Sequence, residues 1–315
     1  MAVRRFSTSS IKTGTKTSKF WDQSTVIVIP RTVFAGGYTT SGNTYVNVIQ
    51  YVETGTLGNA VDFGDLTVTR GDLAATASTT RGIFGGGSAT NVIDYITIAT
   101  AGNATDFGDL SVNRSDLAAC GSTTRGIFGG GYNNQNVIDY VTFATVGNAT
   151  DFGDLTVGRF TLCGFSSPTR GIFAGGASPT SNVIDYITIA TTGNATDFGD
   201  LSTTREWVAG AASSTRGLIA GGYNNGSTIT NTIEYVTIAT AGNTTDFGDL
   251  TESKGYVAGT GSDTRGMFGG GTTGAYTNVI EYVTIATTGN AADFGDLLQV
   301  LAISSATSNA HGGLQ

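Results

Sequence analysis

Carboxylates held at glycine turns are the side chains of this chain with the clearest chemical potential. The tetrapeptide Asp-Phe-Gly-Asp occurs six times, ending at Asp65, Asp109, Asp154, Asp200, Asp249 and Asp296. A pair such as Asp106 and Asp109 beside Asn103 offers the oxygen ligands that calcium takes. Aspartate at a turn more often accepts backbone N–H bonds, so repeated structure is the expected reading and calcium the alternative. Asp-Phe-Gly also holds magnesium in phosphoryl transfer, but no His-Arg-Asp catalytic loop accompanies it, and no glycine-rich loop followed by a strand lysine. His311 is the sole histidine, so no Ser-His-Asp or Cys-His set and no copper site can be assembled. Cys120 and Cys163 have neither disulfide-framework nor metal-ligand spacing and read as buried apolar filler. The expectation is a protein without catalytic residues, resident metal or cofactor.

The elements that position these carboxylates are repeats. Residues 81–110, RGIFGGGSATNVIDYITIATAGNATDFGDL, recur with small edits from Arg31, Arg81, Arg125, Arg170, Arg216 and Arg265, at steps of 50, 44, 45, 46 and 49 residues. Each copy reads as short glycine-flanked strands: IFGGG, NVIDYITIAT, DFGDLT, and an apolar segment such as residues 72–77 that leads into the next Arg-Gly. Four strands in a unit of about 45 residues is the period of a β-propeller blade. With 47 Gly, 3 Pro and 13% charged residues, the composition is that of a turn-dense all-β chain. No run approaches the length of a membrane span, and residues 1–24 lack the order of a signal peptide, so no membrane insertion is expected.

Side chains alternate across a strand. In residues 91–100, Val92, Ile96 and Ile98 therefore face one way and Ile93, Tyr95 and Thr97 the other, which predicts burial on both faces, as between neighbouring blades. Phe63, Phe107, Phe152, Phe198, Phe247 and Phe294 recur at one register as wedges between blades. First-strand segments occur at residues 26–29 and again at 300–304, so either end could close the ring. Six blades are expected, because the other three strands occur six times.

Gly86, Gly87, Tyr95, Phe107, Arg114 and Ala118 to Ala119 follow the order of the kelch pattern, and over residues 25–305 the chain resembles kelch repeats. It departs from them in lacking a Trp close behind the Tyr and in having a longer GNATDFGD connection that carries a Phe. The resemblance implies a six-bladed kelch-like β-propeller over residues 25–315 and no particular function.

Residues 1–24 match no part of the repeat. Arg4, Arg5, Lys12, Lys16 and Lys19 precede the first acid, Asp22, whereas the remaining chain holds 11 bases against 24 acids. This predicts a basic anchoring arm, with Phe20 and Trp21 as apolar contacts, docked on a protein and not on nucleic acid. The run SIKTGTKTSKFWD resembles the opening of virion proteins in tailed phages of marine bacteria, and the GGG, NVIDY and DFGDL units resemble domains from the same viruses. That resemblance implies a virion protein mounted by its arm on capsid or tail.

In a four-stranded meander, the connections between strands one and two and between three and four share one face. Here they are near-constant: STTRG and TGNATD. Each TRG arginine, such as Arg125, is expected to bond a DFGD carboxylate such as Asp109 or Asp151, or a loop carbonyl. The opposite face carries what differs between copies, at residues 38–46, 88–90, 132–135, 177–181, 223–230 and 272–277. The connections from strand four to strand one add Asp72, Asp116, Thr161, Trp207 and Tyr256 at one register. Loop variation on a rigid scaffold marks recognition. The candidate ligand residues are Tyr38, Tyr45, Tyr132, Asn133, Trp207, Tyr223, Asn224, Tyr256 and Tyr276, whose rings and polar tips suit host-surface polysaccharide. Capsid decoration without adhesion is one alternative. A glycan-degrading enzyme is another and would need Glu206, Asp72 and Asp116 to converge; an intracellular kelch-like scaffold leaves the arm unexplained.

Overall fold

A computed structural model describes residues 29–40 and 44–314; the basic arm, with Arg4, Arg5, Lys12, Lys16, Lys19, Phe20 and Trp21, and the strand expected at residues 26–28 lie outside them. Among the described residues the repeats form six four-stranded antiparallel sheets, joined by a three-stranded and a two-stranded ribbon. The sheet of the second repeat is typical, with Ala74–Ala77, Arg81–Gly85, Val92–Thr97 and Thr105–Asp109 side by side in that order. The first strands are built from small residues, AATA here and AACG, AGAA or AGTG elsewhere. They can therefore crowd together, and the six first strands neighbour one another in a closed cycle.

Ring closure is made by Ser305–Ser308, which pairs antiparallel with Arg31–Ala35, placing Ser308 opposite Thr32 and Ser305 opposite Ala35. The strand expected at residues 300–304 thus lies a few residues later. Leu301 and Ala302 are buried without belonging to a strand, because an apolar run reports burial and not extension.

Each apolar core spans two sheets. Phe107 packs with Phe128, Val141 and Phe143 of the next sheet, and the sixth core joins Met267, Ile280 and Phe294 to Phe34 and Val52 of the first. Phe107 also meets Tyr95 edge-on, with centroids 5.9 Å apart. Cys120 and Cys163 are buried free thiols in these cores; burial raises the first well above the ordinary thiol range and the second to about 12.

The constant motifs fasten sheet to sheet. Arg125 lies 4.6 Å over the Tyr140 ring and donates from Nη1 to the Ile189 carbonyl of the next sheet at 2.9 Å. Equivalent arginines repeat this around the cycle, and Arg265 closes it on Thr54 O at 2.8 Å. A carbonyl is therefore the partner. The expected alternative, a DFGD carboxylate, is not used, because that motif has another task. Gly147 N–H and Ala149 N–H donate to Phe107 O and Asp109 O, while Asn148 Oδ1 accepts from Asp109 N–H at 3.1 Å. The GNA segment of each repeat thereby covers the outer strand edge of the sheet before it. Contact is so close that a Cβ on Gly108, at φ +143°, would lie 2.6 Å from Gly147 backbone.

A second set of cations is wholly buried. Arg70 pairs with Asp94 at 2.8 Å, Arg114 with Asp139 at 2.6 Å, Arg159 with Asp185 at 2.8 Å, Arg205 with Glu234, and Lys254 with Glu281 at 2.5 Å. Each cation enters from the connection ahead of the sheet it serves; Arg114 also donates to Gly130 O and Val137 O. At the closing sheet both partners change together. Leu301 stands in the cation's place, and Gln50 in the acid's, with Gln50 Oε1 accepting from Leu298 N–H at 2.7 Å.

Residues 309–314 are not frayed, contrary to what the position of His311 suggests in the sequence. They turn into the channel between the first strands and end in a short 3-10 turn, Gly312–Leu314. A Cβ on Gly313 would lie 1.8 Å from Gly121 O, so only glycine fits. His311 Nδ1 accepts from Gly313 N–H at 3.1 Å, which leaves the proton on Nε2 to donate to Ala77 O at 2.7 Å. Enclosure pushes this imidazole down to about 4. No helix of the described residues is long and apolar enough to cross a membrane.

Candidate ligand site at the open mouth of the channel

Six residues crown the other end of the channel: Asp72, Asp116, Thr161, Trp207, Tyr256 and Ile303. All have left-handed backbone, with φ from 51° to 59°. They are linked by backbone bonds from one repeat to the next, including Asp116 N–H to Asp72 O and Thr161 N–H to Asp116 O, both 2.8 Å, and Asp72 N–H to Ile303 O at 3.0 Å. This conformation suits glycine and strains a β-branched or bulky residue by about 1–3 kcal/mol. None of the six is glycine. The conformation is kept at every copy while the side chains differ, and strain of this kind collects at functional sites.

The crown rings a cavity of about 120 Å³ whose wall continues down the small residues of the first strands, among them Ala75, Ala119 and Gly210. A smaller cavity of about 40 Å³ follows and is floored by His311 and Gly312. The channel is thus open at the variable face and plugged at the constant one.

Aromatic rings and carboxyls occupy different sectors of the mouth. Trp207 and Tyr256 meet at a 48° tilt with centroids 4.3 Å apart, and Tyr256 meets Tyr223 at 5.5 Å. Tyr45 meets Tyr38 at 5.3 Å, and Tyr38 meets Tyr276 at 6.0 Å. Tyr276 is close enough to raise the pKa of Tyr45, Tyr223 and Tyr256, so six aromatic side chains form one arc; burial is the first cause in each. Tyr45 lies against Gly71, which puts the end of the arc beside Asp72.

Asp72 and Asp116 touch. Burial first, and then Asp116, pushes the Asp72 carboxyl up to about 8, so near neutrality it holds a proton and donates it to Asp116. Asp116 also accepts from Ser115 Oγ at 2.9 Å. Glu206 stands apart, beside Tyr223 and Tyr256, with its pKa raised by burial. Among the described residues no three His, Cys, Asp or Glu side chains are grouped as metal ligands, and the DFGD oxygens lie at the outer strand edges.

The structure therefore brings together Tyr38, Tyr45, Trp207, Tyr223, Tyr256 and Tyr276. The remaining candidates sit elsewhere: Tyr132, 55% exposed, leans on Phe160 at 5.4 Å. Asn133 turns outward with φ +65°, and Asn224 accepts from Thr203 Oγ1 at 3.2 Å. Ile303 and Ser304 were missed, although aligning the last connection with the other five would have placed them.

No protein-family model matches this chain, and no curated protein matches it. Function must then be argued from the mouth itself. Its aromatic faces and polar tips can stack on sugar rings and bond their hydroxyls. Its backbone is held by a bond between neighbouring crown residues at five of the six junctions, so the rings need little ordering on binding.

Proposed function

We propose that the chain is a six-bladed, kelch-like β-propeller that binds surface glycan at the open mouth of its channel and carries out no chemistry on it. The observation that carries this reading is the arc of six aromatic rings beside a strained, side-chain-bearing crown. Six two-sheet cores in cyclic order and closure by Ser305–Ser308 support the propeller. Binding without hydrolysis fits the acids. Glycosidases separate their two carboxyls by about 5 Å or more to admit the scissile bond, whereas Asp72 and Asp116 are in hydrogen-bond contact.

The cations add a selectivity argument. All 11 Lys and Arg residues of positions 22–315 are engaged in the two structural sets, six on tyrosine rings at the constant face and five in buried pairs. None of these eleven is left at the mouth, which favours a neutral or cationic ligand. Mounting on a virion through residues 1–24, with a capsid or tail protein as partner, is proposed on the arm's basic composition and its resemblance; decoration without adhesion is the form this takes if no glycan binds.

A glycan array probed with the intact chain, together with mass spectrometry of purified particles, tests both halves. Binding should be seen for the parent and for Tyr132→Ala, and lost in Trp207→Ala with Tyr256→Ala at unchanged melting temperature. Equal binding by parent and double variant would remove the mouth from the account.

A further inference from the structure

Three oxygens around the mouth cavity have no hydrogen-bond partner in the protein: Asp72 Oδ1, Thr161 Oγ1 and Ser304 Oγ. Thr161 is only 4% exposed. It shares its register and left-handed backbone with Asp116 and Trp207 and lines the same cavity. An unsatisfied buried oxygen is unfavourable, and one carboxyl oxygen with two hydroxyls around one space can share a single donor. No buried cation supplies it, because all five are turned into the sheets against their own acids.

The space and its walls restrict that donor. A volume of about 120 Å³ holds an amino group and its first carbons, or a few waters, but little more. Ammonium carries three N–H donors and no acceptor, so one group can serve the carboxyl oxygen and both hydroxyls at once. The same cavity is lined by Trp207 and Tyr256, whose faces attract a cation. A quaternary ammonium would suit the rings but leave the three oxygens unpaired.

We propose that the mouth is a subsite for a primary ammonium group, presented by an amino sugar of the bound glycan. The amino-sugar part rests on the glycan reading above; the ammonium subsite stands on the cavity alone.

Calorimetric titration of the full chain with D-glucosamine, D-glucose, N-acetyl-D-glucosamine and n-butylammonium tests it. Glucosamine should bind at least tenfold more tightly than glucose or the acetylated sugar. Asp72→Asn with Asp116→Asn should erase that preference and keep glucose binding. Thr161→Val, which keeps the β-branched shape and both carboxyls, should reduce the preference several-fold. Equal affinities, a preference that survives in the double Asn variant, or calcium binding that excludes the amines would overturn the subsite. If no sugar binds but butylammonium does, and the Asn variant loses it, the glycan reading fails and the subsite stands. If butylammonium does not bind either, both fail.

Discussion

At the TRG turns six repeats put the same side chain on the same partner: an arginine on its own tyrosine and on a carbonyl of the next sheet, from Arg31 through Arg265. At the opposite end of the first strands the six repeats keep one backbone conformation, φ 51° to 59°, and fill it with aspartate twice, threonine, tryptophan, tyrosine and isoleucine. Both places join neighbouring sheets. At the turns the side chain makes the junction and is not free to change. At the crown the backbone makes it, as in Asp116 N–H to Asp72 O, and the side chains are released for another use. Variation in this molecule therefore follows from which atoms carry the junction, and the proposed ligand surface is the one whose side chains are released.

The sharpest break of the comparison is on the structural side. Arg114→Ala leaves Asp139 buried with no cation, and should cost about 3–5 kcal/mol in urea unfolding. Arg114→Leu with Asp139→Gln copies what the closing sheet has at Leu301 and Gln50, and should recover most of that loss. A loss under about 1 kcal/mol in Arg114→Ala would show that these pairs do not hold the sheets.

A smaller effect of opposite sign is expected at the crown. Thr161→Gly removes a strained residue with an unpartnered hydroxyl, so stability should stay level or rise by about 1 kcal/mol even though the side chain is buried. A fall comparable to a core truncation would mean that the crown side chains are structural.

Much of this was legible in the sequence. Period and glycine spacing give the repeats, and two-sided apolar alternation gives sheets packed on both faces. Placing the changeable loops on one face picked out six rings that do converge. What was hidden depends on where connections travel. Arg70 and Asp94 are 24 residues apart and meet only because the connection dives into the following sheet. Their exchange for Arg and Glu, Lys and Glu, then Leu and Gln is visible once the repeats are aligned as pairs. Alternation alone treats Asp94 as one more strand residue. Tyr132 has its ring contact with Phe160 and not with the arc, because Phe160 stands where Tyr45 and Tyr223 meet Gly71 and Gly255. The contact between Asp72 and Asp116 and the plug at residues 309–314 follow from ring closure, which no local pattern encodes.

The most direct test is hydrogen–deuterium exchange of the full chain with and without a glycan selected on the array. Exchange should slow at residues 70–75, 205–209 and 254–258 around the mouth and stay unchanged at the TRG turns. Protection confined to the TRG and GNATD turns, or spread evenly over both faces, would contradict a binding site at the mouth.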